Sequence, residues 1–318
     1  MKKIRYVFSL LIVLVLILGL WVKNGRETGY EKTEYFFDTV CTVTVYGKEK
    51  KAAADGVFKR LAEIHTLTDL YDPKSDVSRI NAAKANESVA VNEAITDIIS
   101  RAYEISDCTN GEFDITIAAV SQLWNFKAEN PSLPKKEDIE KALESVGYKN
   151  IAVDKNKSEV TKKITGAMID LGGAAKGYAG DEAAKVLEEY DISGAIIDLG
   201  GNVVCKGENP KSKNGKWRIG LQKPFAANGE YSQTIEIASG AVVTSGTYQR
   251  SFRLDGMLYH HLLSPKTGFP ENASYNSVTV VSESSLTADL LSTACFLIGE
   301  QEGAALARKY NAEVYYQD

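Results

Sequence analysis

Histidine and cysteine are scarce in this 318-residue chain, with three and four copies, and their placement excludes several chemistries. Cys41, Cys108, Cys205 and Cys295 stand far apart, with no C-x-x-C pair and no cysteine–histidine spacing, so neither a zinc site nor a thioredoxin-like redox motif is encoded. Spacing leaves disulfides open and does not pair them. The G-x-x-x-x-G-K-[ST] phosphate loop and the G-x-G-x-x-G dinucleotide fingerprint are both missing. Positive charge is short as well. The 37 basic residues fall to 33 once the four within residues 1–23 are set aside, against 42 acidic ones, which argues against a nucleic-acid partner. No repeat of solenoid length exists; one echo does, MIDLGGAAKG from Met168 and IIDLGGNVVCKG from Ile196, which reads as two similar strand ends in one sheet.

What is present is enough apolar material for a sizeable core, 44% of residues, in a length that fits one large domain or two closely fused ones. At the N-terminus Lys2, Lys3 and Arg5 precede an apolar run from Tyr6 to Val22, broken only by Ser9 and Gly19. Roughly 17 to 25 such residues cross a bilayer as a helix. Trp21, Val22 and Lys23 follow where a cleaved signal would carry small residues, so residues 1–23 read as an uncleaved signal anchor. The basic cluster keeps the N-terminus in the cytoplasm and places the remainder outside. A polar linker over 24–33 and one domain over 34–318 complete the plan.

Within that domain, EYFFDTVCTVTVYG alternates like a half-buried strand. Ala54, Val57, Leu61, Ile64 and Leu67 recur at three and four, which predicts a helix from Lys50 to Tyr71, and Ile95 to Ile105 predicts a second, stopped by Asn110 and Gly111. YDPKSDVSRIN reads as a turn and a short helical piece, and FKAENPSLPKKED as a surface excursion leading into a helix at 137–146. From Ile164 onward the pattern is strand, Gly-rich turn, helix, then strands at 195–204, 217–222, 233–237, 242–247, 259–263 and 275–281. A helix over 285–298, a shorter one and the strand AEVYY close the chain. Strands in succession predict an α+β fold, a single domain of mostly antiparallel sheet with packed helices behind the anchor helix.

Three places carry chemistry. In DLGGAAKGYAGD a strand ends at Asp170 and a helix begins near Lys176; small residues admit a ligand to the backbone, and a helix N-terminus beside a lysine attracts phosphate. The same pattern also serves as a plain strand-to-helix turn. In SSLTADLLSTACFLIG, Asp289 and Thr293 lie four apart on one helix face, hard oxygen donors of the kind magnesium takes, or else an acid near a helix start beside a packed threonine. His260 and His261 lie in LYHHLLSPKTGFP, and being strand neighbours only one can face a given site, where a neutral imidazole could accept a proton from a hydroxyl. His65, within the first helix, reads as structural.

Together with FFDTVCTV, LTDLYDPKSDVSRIN, TNGEFDIT and VTSGTYQRSF, these segments closely resemble the FAD:protein FMN transferases, the ApbE family, from about Phe36 to the C-terminus. The resemblance implies magnesium-dependent transfer of FMN from FAD to a threonine or serine hydroxyl of an extracytoplasmic redox protein, with release of AMP. It implies magnesium ligands at Asp289, Thr293 and the Gly173 carbonyl. FAD contacts are implied at Val40, Tyr71, Glu112, Phe113, Asp114, Asp170, Lys176 and Leu263, through the backbone at Val40 and Leu263. His261 matches the family's histidine and is the candidate for proton transfer. Two features depart from the pattern: Ser264 stands where many relatives carry Asp before the proline, and Cys41, the first cysteine, lies inside the domain rather than at a lipid-attachment position. The alternatives are an FAD pyrophosphatase that gives FMN and AMP, and a non-catalytic membrane-tethered flavin-binding protein.

Overall fold

The computed structural model describes residues 28–227 and 229–318. The expected anchor over 1–23 lies outside the described residues, and among those described no helix is long and apolar enough to cross a membrane. The first departure from expectation is at EYFFDTVCTVTVYG, which is a hairpin and not one strand. β1 (Tyr30–Phe36) turns into β2 (Thr39–Gly47) through Phe37 and Asp38. Both turn residues have positive φ, 52° and 60°, the two-residue pattern whose twist suits a hairpin. That pattern normally announces itself through Asn or Gly, so Phe-Asp gave no signal. The expected linker over 24–33 likewise runs into β1 at Tyr30, which pairs with Val45.

α1 (Lys50–Thr68) follows and buries Ala53, Ala54, Val57, Phe58, Leu61 and Ile64 on one stripe. α2 (Asp76–Ala82) is capped by the Ser75 hydroxyl, which accepts from the Ser78 amide. β3 (Ser88–Ala90) and α3 (Glu93–Cys108) come next, then α4 (Ala118–Trp124), α5 (Lys136–Leu143), β4 (Ile151–Asp154) and β5 (Glu159–Lys162). β3, β5 and β4 form a small sheet that, like α4, periodicity did not announce, because its strands are only three or four residues long. The segment ending at Asp170 is not a ladder strand; it makes one isolated bridge, Met168 to Ile117. α6 (Ala175–Leu187) then leads to β6 (Ile192–Leu199) and β7 (Asn202–Gly207), two strands around Gly200–Gly201 where one was expected. The remainder is β8 (Trp217–Gln222), β9 (Tyr231–Ile237), β10 (Gly240–Gly246), β11 (Ser251–Leu254), β12 (Met257–His260), β13 (Ser277–Ser282), α7 (Ser285–Ile298), α8 (Glu300–Lys309) and β14 (Glu313–Gln317).

Seven strands form the main sheet in the order β1-β2-β6-β7-β10-β13-β14, and every ladder among the described residues is antiparallel. Alternation sorts each strand's side chains between two faces. Cys41, Val43 and Val45 of β2 and Ala241 and Val243 of β10 join the helices on one face. Tyr46 and Val242 face the other way, onto Trp217, Ile219 and Leu221 of the β8–β9 hairpin. α7 is buried nearly all round, which explains its apolar sequence. A third cluster, Val120, Trp124, Ile139 and Leu263, sets α4 and α5 against the loop after β12.

α6 and α7 cap each other. Asp181 of α6 accepts from the Ser285 amide at 2.6 Å and the Ser284 hydroxyl at 2.7 Å at the start of α7. Asp289 of α7 accepts from the Gly177 amide at 2.8 Å in the first turn of α6. This close crossing explains KGYAGD. A Cβ on Gly177 would stand 2.7 Å from the Leu286 Cα, and one on Gly180 would stand 2.5 Å from the Ser285 hydroxyl. Because the obstacle at Gly177 includes backbone, Gly177→Ala is expected to lower stability by about 1–3 kcal/mol, the usual range for overpacking, read as a reduced denaturant midpoint at unchanged m. A midpoint equal to wild type would show that the crossing has slack.

Candidate active site

A cleft of about 1010 Å³ opens where the β1–β2 turn, the segments 113–117 and 170–176, the β6–β7 turn, β8, β10 and the loop after β12 meet. Of the residues expected from sequence, Val40, Tyr71, Phe113, Asp114, Asp170, Gly173, Lys176, His261, Leu263, Asp289 and Thr293 line it. Glu112 does not; its carboxylate pairs with Lys266 in the loop after β12.

The floor is built around the start of α6. Asn81 clamps the Ile169 backbone with two hydrogen bonds, from its Nδ2 to the carbonyl at 2.9 Å and from the Ile169 amide to its Oδ1 at 2.8 Å. Asp170 Oδ1 accepts from the Gly172 amide at 2.8 Å and so holds the turn. Asp289, 2% exposed, sends one oxygen to the Gly177 amide, and its other oxygen lies 3.6 Å from Lys176 Nζ. The Gly177 amide is therefore taken by a carboxylate and not by the carbonyl of Gly173 four residues back. Thr293 stands one turn beyond Asp289; a Cβ on Gly173 would lie 3.4 Å from its hydroxyl, and Ser245 Oγ lies 3.1 Å from it. Gly173, Asp289 and Thr293 thus share one corner, with Lys176 beside them. No group of three His, Cys, Asp or Glu side chains suited to a metal occurs among the described residues. The corner instead brings together a carboxylate, a hydroxyl and the Gly173 backbone, hard oxygen donors of the kind Mg²⁺ takes.

His260 is the last residue of β12 and His261 the first beyond it, its amide donating to the Arg250 carbonyl at 3.1 Å, and the two rings have different surroundings. His260 is buried, its Nε2 3.2 Å from the Glu271 carbonyl and its ring edge-on to Phe296. His261 faces the cleft, and its Nδ1 is buried without a hydrogen-bond partner. Burial of the ring, with the Arg250 guanidinium nearby, pushes the His261 pKa down to about 3. The ring is therefore neutral at physiological pH, as expected of a proton acceptor, and with so low a pKa it is a weak base.

Asp114 is buried and accepts from the Thr116 amide and hydroxyl and from the Tyr148 amide, at 2.7, 2.6 and 2.6 Å. Burial raises its pKa despite those donors, and its bonds brace the cleft wall. Leu263 lines the cleft and packs its side chain into the third cluster. The loop that lacks the usual Asp is closed by Ser264 itself, whose amide donates to Phe269 and whose carbonyl accepts from Gly268. All four cysteines are free thiols.

Sequence reasoning missed part of the wall. Phe126 and Lys127, assigned to a surface excursion, line the cleft; Lys127 pairs with Asp38 and sits 5.1 Å over the exposed Tyr71 ring. Asp198, Gly200 and Gly201 line it too. The two DLGG segments are therefore not two ends in one sheet; both bring an aspartate and a glycine pair to the same cleft. The repeated motif was the available signal.

A family model described as the ApbE family matches residues 37–316. The chain is similar to the FAD:protein FMN transferase of Treponema pallidum (strain Nichols), 28% identical over 302 residues, covering 90% of this chain and 83% of that relative. It is similar to that of Klebsiella pneumoniae (strain 342), 33% identical over 259 residues, covering 81% and 79%. Among solved structures it resembles the ApbE protein from Thermotoga maritima MSB8, with a TM-score of 0.83 at 32% identity over 91% of this chain and 94% of that one. The flavin transferase ApbE from Vibrio cholerae gives 0.80 at 26% identity over 91% and 93%.

Proposed function

This chain belongs to the ApbE family and is a flavin transferase, and from that premise we propose that it moves FMN from FAD, with Mg²⁺, onto a threonine or serine hydroxyl of an extracytoplasmic redox protein. The observation that carries this reading is the corner at the start of α6, where Gly173, Lys176, Asp289 and Thr293 meet in the cleft that His261 also faces.

The proposed FAD contacts are Val40, Tyr71, Phe113, Asp114, Asp170, Lys176 and Leu263 on the cleft wall, with Glu112 acting at one remove by tethering the 264–269 loop through Lys266. Mg²⁺, held by the Gly173 carbonyl, Asp289 and Thr293, would supply charge neutralisation at the pyrophosphate. Lys176 adds a cation from the first turn of α6, whose N-terminus favours an anion. Transfer forms a bond from the acceptor oxygen to the FMN phosphorus and breaks the bond from that phosphorus to the bridging oxygen, which leaves with AMP. The hydroxyl proton goes to His261. An incoming pyrophosphate offsets the positive charge of Arg250 and Lys176 around that ring and raises its pKa from about 3 toward a useful value. Positioning and charge stabilisation do most of the work in such transfers.

The basic cluster and apolar run at 1–23 support a membrane-anchored protein with this domain on the extracytoplasmic face. The test is to incubate the protein with FAD, Mg²⁺ and a candidate acceptor and to follow acceptor mass and released nucleotide together. An acceptor heavier by one FMN, with matching AMP, is the expected result. Free FMN and AMP with a competent acceptor unmodified would make the protein a pyrophosphatase. FAD binding with no turnover and no metal dependence would make it a flavin carrier.

A further inference from the structure

The expected flavin contacts leave one part of the cleft without an occupant. That part is walled by β8, the β6–β7 turn and β10. Ile219, Gly220, Leu221 and Gln222 of β8 all line the cleft, although alternate side chains of a strand point to opposite faces. Ile219 and Leu221 are buried toward the main sheet, whereas Gly220 and Gln222 are partly exposed on the other side. No residue of β9 lines the cleft, so the cavity lies on the side of β8 away from its ladder partner. β8 pairs with β9 alone among the described residues, so this edge carries no ladder partner.

The part of the wall made by the β6–β7 turn suits a backbone. Gly200 and Gly201, both at positive φ, send no side chain into the cleft. The wall is also continuous with the reactive corner. Thr244 is bonded through its amide to the Gly201 carbonyl at 3.1 Å, and its neighbour Ser245 reaches Thr293 at 3.1 Å. Val242, which faces β8, and Ser245, which faces the helices, both line the cleft, so it reaches from β8 past β10 to Asp289 and Thr293.

We propose that the protein acceptor enters as an extended segment that pairs with the free edge of β8 and carries its hydroxyl along β10 to the phosphate corner. This rests on the transferase reading, since only a polypeptide substrate needs such a path. A hydroxyl must come within roughly 3–3.5 Å of phosphorus in line with the leaving oxygen, deep in a cleft, which a locally extended chain can do. Strand addition supplies main-chain hydrogen bonds at every second residue of the guest, and an unpaired edge is a natural template for it.

The experiment uses the protein with FAD and Mg²⁺ and a library of short unstructured peptides, each with a single threonine, scored by mass for FMN addition. The best peptide is then made with one backbone N-methyl group at each position in turn, which removes a donor without altering the enzyme. N-methylation on alternate residues is expected to lower kcat/KM about tenfold, the scale of one or two lost hydrogen bonds, with little effect between them. AMP release in the absence of peptide should be the same throughout. Loss that is uniform, absent or without a period of two overturns the strand pairing. So does AMP release with no peptide labelled while folded acceptor is labelled, which would indicate docking of a folded surface. Failure of nucleotide release altogether would count against the transferase reading and not against the docking path alone.

Discussion

Asp289→Asn is expected to abolish metal-dependent FAD turnover, by about 10²-fold or more, while leaving the fold nearly as stable as wild type. The side chain does two jobs that the substitution separates. One oxygen caps α6 by accepting from the Gly177 amide, and the other faces the corner shared with Lys176 and Thr293. An asparagine oxygen still accepts from Gly177, but the charge that would hold a divalent cation is gone. Asp289→Ala removes both and should add a cap-loss penalty of about 1 kcal/mol to the same loss of activity. Metal titration of chelator-treated protein, followed by calorimetry as well as by AMP release, provides a readout that does not depend on catalysis. If the asparagine variant binds Mg²⁺ and turns over FAD like wild type, the metal assignment fails and Asp289 is a helix cap alone.

His261→Ala is expected to reduce kcat by about 10²-fold with FAD binding unchanged, the lower end of what a positioned base contributes. The pH dependence follows from its lowered pKa. A group at about 3 is neutral through the whole physiological range, so its competent form is lost only as pH falls far below 5. For the free enzyme, the kcat/KM profile should be flat between about pH 5 and 8 as far as this residue is concerned. In the complex the pyrophosphate charge raises the pKa, so the acid limb of kcat should lie at higher pH than that of kcat/KM. Coincident limbs, or a variant with wild-type kcat, would remove His261 from proton transfer. Stability carries the same sign. His261 and His260, pushed to about 3 and about 4 mainly by burial, stay neutral when folded, whereas the unfolded chain takes up protons below about pH 6.5. Folding stability is therefore lost as pH falls from that point toward 3.

The chain's own residues, in order, were enough for the long helices, whereas the residues of the reactive corner were named through the family resemblance. α1, α3 and α7 carry apolar stripes or caps that act within a few residues, and such local physics is visible in a string of letters. Asp289 and Thr293 share a face because a helix repeats every 3.6 residues, and DLGGAAKG needs small residues wherever it is placed. By contrast, the Phe37–Asp38 turn was invisible, because its positive φ values are imposed by pairing with β2 and not by residue type. The short strands β3, β4 and β5 exist only because each finds a partner. The His261 pKa depends on burial by the rest of the chain and then on Arg250, neither of which spacing reveals.

Sequence by itself determined the long helices, through local periodicity, and the family, through the combined wording and order of its motifs. Tertiary structure alone decided that Asp289 caps a different helix from its own, that both DLGG segments face one cleft, and that β8 but not its partner β9 lines it. The reason is physical: these are contacts between segments distant in the chain, and only packing brings them within reach of one another.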